Sequence, residues 1–103
     1  KTSTANATGS TTLDYDANQN FVLTATGNIT LANPSTETVG QTGFIAIIQD
    51  GTGSRTLTLG TDYESPASGG ITLTTTANAT DVLPYVVIAA NRVALGTPQL
   101  AFG

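Results

Sequence analysis

The sequence predicts an all-β domain, either an antiparallel β-sandwich of jelly-roll type or a partly closed barrel, with about eight short strands. Three observations carry this expectation. Strand-forming residues dominate, with 21 Thr among the 103 positions and apolar Val, Ile, Leu, Phe and Tyr interleaved with them. Gly, Asn, Asp or Pro interrupts the pattern every ~8–12 residues, the spacing of short strands joined by turns. No segment combines a 3.6-residue apolar period with capping residues, so helix content should be very low.

Residues 1–12, KTSTANATGSTT, hold seven Ser or Thr and no large apolar side chain. Nothing in them offsets the entropy of ordering, so they read as a flexible N-terminal arm. Leu13-Asp14-Tyr15 alternates and reads as a first short strand, which starts the β domain, 13–96. Residues 21–26 form a second strand and 29–31 a third, with Gly27-Asn28 between them at the length of a primed hairpin turn. Asn33-Pro34 ends that strand, and PSTETVGQT is a connection.

Residues 44–48, FIAII, are apolar on both faces and are the candidate central strand, with Phe44, Ala46 and Ile48 assigned inward. Asp50-Gly51-Thr52-Gly53 then reads as a hairpin turn into 55–59, where period two puts Leu57 and Leu59 inside. After the Gly/Ser/Pro-rich loop at 64–70, residues 71–74 alternate again. Residues 82–88 are the second long apolar strand, in which Pro84 calls for an edge position or a bulge. Asn91-Arg92 leads into 93–95, and residues 97–103 form a C-terminal tail. The predicted core is completed by Phe21, Leu23, Ile29, Leu31, Ile71, Leu73, Leu83, Tyr85, Val87, Val93 and Leu95.

Composition excludes much chemistry. There is no His, Cys, Met or Trp, which removes Ser-His and Cys-His nucleophiles, the usual zinc ligands, thiol redox centres and disulfides. Catalytic, cofactor-binding and metal residues are therefore all expected to be none, and the chain is expected not to be an enzyme. Three basic residues, Lys1, Arg55 and Arg92, against seven acidic ones give a net charge of −4, so the basic patch that nucleic-acid binding requires is missing. No apolar run reaches the ~18 residues of a membrane span. The first residue is Lys rather than Met, from which a processed or partial N-terminus is expected.

Some constellations nevertheless invite a chemical reading. Asp14, Asp16 and Asn18 have the one-three-five oxygen spacing that opens a calcium loop. Gln19 replaces the turn Gly of that motif and Ala25 its bidentate Glu, so an Asx-rich turn is the preferred reading. Gly51-Thr52-Gly53-Ser54-Arg55 lacks the Lys and the following helix of a phosphate loop. Asp62 and Glu64 flank Tyr63, the minimal equipment of a glycosidase, but nothing in the sequence fixes their separation or raises one pKa. The three Asn-x-Thr triplets at Asn6, Asn28 and Asn78 are what chance gives in a chain so rich in Asn and Thr. The Thr-rich strand faces read as outward sheet surface rather than an ice-binding or sugar-binding face, since the Thr spacing does not repeat in register.

The stretch from Phe21 to Leu95 resembles a small β-rich module of tailed-bacteriophage virion structural proteins. The resemblance rests on GNITL followed by NP (27–34), GQTGFIAIIQDGTGSRTLTL (40–59), ITLTTTANATDVLPYVVI (71–88) and a last strand at Arg92-Val93. It implies a structural role in the virion, without catalytic residues. The first expectation is a capsid decoration, or cement, protein on the outer surface of the head, bound to the major capsid protein. The second is a tail-fibre or appendage module that attaches to host-surface glycans through Tyr15, Tyr63 and nearby Asn and Asp side chains. A homo-oligomer, with a trimer favoured, is expected in either setting. Leu100, Ala101 and Phe102 beyond the last predicted strand would be exposed on a monomer.

Overall fold

A computed structural model describes every residue from Lys1 to Gly103. The strands are β1 (Thr2–Thr11), β2 (Asn20–Leu31), β3 (Thr42–Gln49), β4 (Leu57–Leu59), β5 (Tyr63–Glu64), β6 (Thr80–Ala89), β7 (Arg92–Leu95) and β8 (Gln99–Phe102). All eight belong to one sheet of order β1-β2-β3-β6-β7-β5, with β4 also on β2 and β8 also on β6. The sheet curls into a half-barrel, so the fold is all-β and takes the partly closed form. It is mixed rather than antiparallel throughout: β1, β3 and β4 run parallel to β2, and β6 runs antiparallel to β3, β7 and β8.

The expected arm is strand β1. Its neighbour lies within the chain: nine residues from Thr2 to Thr11 register against β2, and the ladder is closed by Lys1 O accepting from the Gln19 and Asn20 amides and Thr11 O accepting from Ala32 N. Backbone pairing and β-branched Thr sustain this strand with only Ala7 buried, a possibility that counting large apolar side chains overlooks.

The hairpin expected at Gly27-Asn28 is also absent, because β2 runs unbroken through both residues. Gly27 is needed for close approach: a Cβ there would lie 2.2 Å from the Thr8 hydroxyl, beside the register shift between Ala7 and Gly9. Nor does Asp50–Gly53 reverse the chain. β3 covers the first half of β2 and β4 the second, in the same direction, with the 50–56 segment looping out between them. Asn28 makes the splice, its Oδ1 accepting from Thr56 N at 3.1 Å.

Pro84 lies on central strand β6, opposite Phe44. Its carbonyl accepts from Gly96 N at 2.8 Å, on the side where residues 96–98 separate β7 from β8. The missing proline donor therefore falls at a break in the neighbouring strand, a local edge. The tail forms β8 against the start of β6, with Thr80 opposite Phe102 and Val82 opposite Gln99.

Nineteen buried residues fill the concave side. Most predicted core positions belong to it, but β3 is turned over: Ile45 and Ile47 are 0% and 2% exposed, while Phe44 and Ile48 are half-buried on the other face. The parallel register decides this by setting Ile45 beside Phe21 and Ile47 beside Leu23. A strand apolar on both faces carries no internal signal of which face turns inward. Leu13, Tyr15, Ile71 and Leu73 join the core from connecting segments, so 13–15 and 71–74 are buried plugs rather than the strands their alternation suggests.

Candidate functional site

The two tyrosines expected to meet a ligand are structural. Tyr15 and Tyr63 are 2% and 6% exposed, and their hydroxyls bond each other at 2.8 Å. Tyr15 packs edge-on against Phe21 and Tyr85, with ring centroids 5.1 and 5.2 Å away. The Tyr85 hydroxyl donates to Gln19 O and accepts from Gln41 Nε2, which also donates to Asn18 O. Burial raises the pKa of all three phenols, that of Tyr63 to about 12.

Asp14, Asp16 and Asn18 form a turn. Asp14 Oδ1 accepts from Thr36 Oγ1 at 2.9 Å and from the Asp16 and Ala17 amides, while Asn18 N donates to Asp14 O. These donors, the Thr36 hydroxyl foremost, hold the Asp14 carboxyl below its ordinary range. Its Oδ1 is occupied as an Asx cap that ties the first crossover to the second.

Asp50 does the same for the looped-out segment. Its Oδ1 accepts from Thr52 N and Gly53 N, and Arg55 forks onto both carboxylate oxygens, which lowers the Asp50 pKa. Gly51 to Arg55 is thus an acid-capped loop rather than a phosphate cradle. Two buried polar side chains complete the scaffold. Gln49 accepts from Arg55 N and donates to Arg55 O and Thr74 O. Asp81 accepts from Thr74 N at 2.7 Å and Ala101 N at 2.9 Å, joining the core plug to β8. Neither was singled out in the sequence, although the polar Gln49 that closes an apolar strand was the available signal.

A groove of about 800 Å³ is walled by β4, β5 and the 65–71 loop. Glu64 stands at its edge, bonded to Arg92 at 2.6 and 3.0 Å, and the Arg92 guanidinium holds its carboxyl below the usual range. A carboxylate stabilised in its charged form is poorly suited to donate a proton near neutral pH. Asp62 is engaged through its backbone with Asn33 and Val93. Glu64 is therefore not the raised-pKa acid that a glycosidase requires.

The rest of the groove is neutral and hydroxyl-rich, with Thr58, Thr61, Ser65 and Ser68 in its lining. Ala67 and Ser68 sit at φ 54° and 57°, a left-handed pair unusual outside glycine. The loop holds this shape through Gly70 N donating to Ser65 Oγ at 2.8 Å and Ser68 N donating to Ser65 O. Such strain is retained where the surroundings over-determine the backbone, often at binding sites.

Comparison with known protein families supplies the setting that this geometry leaves open. The family model described as "Putative phage tail fibre C-terminal domain" matches residues 4–91, well over half of the chain. The chain belongs to this family. The chain is therefore a small phage virion structural module, as the sequence resemblance implied. The match opens at Thr4 and so takes in β1, which the resemblance from Phe21 onward had left outside the module. No curated protein and no solved structure matches the chain significantly.

Proposed function

We propose that this chain is a terminal, host-attaching module of a phage tail fibre and that the groove between β4, β5 and the 65–71 loop is its contact with the cell surface. The family match carries the reading, because the matching description is of a tail fibre's C-terminal domain. The groove supports a neutral, polyhydroxylated ligand such as a surface glycan. Its hydroxyl and backbone groups can exchange hydrogen bonds with sugar hydroxyls, and its one carboxylate is already paired. Thr61 also accepts from Asn33 Nδ2 at 2.8 Å, which fixes one wall. The role is binding rather than catalysis.

The test combines particle location with cell binding. Quantitative mass spectrometry and gold labelling of virions should find few copies, at the tail. The labelled chain should bind host cells in competition with their surface polysaccharide, and Thr58→Trp, which fills the groove from an exposed position, should abolish binding without unfolding the protein. Hundreds of copies on the head would overturn the reading and assign the cement role, with the major capsid protein as partner.

A further inference from the structure

The curled sheet has a second face on which, of the residues that alternation turns outward from β3 and β6, only Ala46 is buried. The crossover and plug residues Leu13, Tyr15, Ile71 and Leu73 all pack into the concave side. On the outer side, alternation presents Phe44, Ala46 and Ile48 from β3 and Val82, Pro84, Val86 and Ile88 from β6.

Register assembles these residues into continuous rows. Thr4, Val22, Ala46, Val82 and Gln99 lie side by side from β1 to β8, and Asn6, Thr24, Ile48, Thr80 and Phe102 form the next row. The result is an apolar centre with a neutral Thr and Asn margin. Val86 and Ile88 are 37% and 45% exposed, and Leu100 and Phe102 of β8 are each 53% exposed.

None of the ten charged residues falls in these two rows. Glu64 and Arg92, beyond Ala94 at the far edge, are paired with each other. The protein carries a net charge of −4, so its copies repel one another through the surfaces that hold the carboxylates. Through the outer sheet face two copies can meet without bringing any of those carboxylates together. A charged partner would find no counter-charge there. Four strands ~4.8 Å apart and nine residues at ~3.3 Å give a face of roughly 600 Å² in projection, somewhat below the ~800 Å² of accessible surface per partner in a standard interface.

We propose that the outer face of β2, β3, β6 and β8 is the surface through which copies of this chain associate, with Val82 near its centre and Val86 on β6 towards the β7 end. This inference is independent of the ligand assigned to the groove. An apolar centre inside a neutral polar margin is the anatomy of an interface core and rim. β8 extends the surface at one end, which gives the C-terminal residue Phe102 a place in the contact.

Sedimentation velocity of the whole chain, from micromolar to millimolar, tests the proposal. The wild type should move with concentration from 10.4 kDa to a defined multiple, three-fold if the assembly is a trimer. Val86→Asp should weaken association by more than about tenfold, because it buries an unpaired carboxylate in the contact. Val39→Asp, at a 62% exposed position on the crossover, should associate as the wild type does. Circular dichroism verifies folding of each variant, and Ile88→Lys at the more exposed neighbour serves if Val86→Asp is unfolded. A wild type that stays at 10.4 kDa up to millimolar overturns the proposal. So does wild-type association in the folded face variants, or equal loss in Val39→Asp.

Discussion

Strand β6 presents the same kind of side chain to two different environments. Leu83 and Val87 are fully buried beneath the half-barrel, whereas Val86 and Ile88, next to Val87 in the chain, are 37% and 45% exposed. Hydrophobicity alone does not separate them; the connections do. Residues from 13–15 and 71–73 cover the concave face and leave the convex one bare. One face of the sheet therefore stabilises the domain, and the other remains available for contacts outside it.

The largest expected effect is on the inner face. Leu83→Ala should cost about 2–5 kcal/mol by urea denaturation, since a fully enclosed side chain leaves a cavity that neighbours fill only partly. Gln49→Leu should follow at about 3 kcal/mol, because it leaves the Arg55 amide and two carbonyls without their partner. Tyr63→Phe removes the hydroxyl pair with Tyr15 and should cost about 1 kcal/mol.

The same tyrosines fix the alkaline limit. Folded Tyr63 titrates near 12 and Tyr15 is raised as well, whereas unfolded tyrosine titrates near ~10. The folded state then holds its phenolic protons more tightly. Their stabilisation is fully present below pH ~10 and should be lost as pH rises from there through about 12, which denaturant midpoints across that range will show. Flat midpoints would remove the buried pair from the account. On the outer face Val86→Thr should change monomer stability by less than about 0.5 kcal/mol. Glu64→Gln, at an exposed ion pair, should leave the melting temperature unchanged.

Much of the chain's local character was legible in its sequence. The β class, the low helix content, the positions of β3, β6 and β7, and most core residues follow from alternation and turn residues. What escaped depends on distant neighbours. Parallel pairing has no local signature, so the Gly27-Asn28 and Asp50–Gly53 segments looked like hairpin turns when one is a close approach within β2 and the other a loop between collinear strands. Residues 1–12 looked disordered because backbone hydrogen bonding to β2 is invisible in their composition. The candidate site was legible only in part. Asp62, Tyr63 and Glu64 were singled out, and Tyr63 and Glu64 do line the groove, but burial of Tyr63 and the Arg92 partner of Glu64 required the fold.

The division of labour between the two faces is tested most directly by measuring urea stability and sedimentation mass on Leu83→Ala and Val86→Asp side by side. The structure predicts that Leu83→Ala lowers the monomer's unfolding midpoint and still associates while folded, whereas Val86→Asp keeps the monomer's midpoint and remains at 10.4 kDa. The reverse pattern, with Val86→Asp losing monomer stability while folded molecules associate as the wild type does, would contradict it.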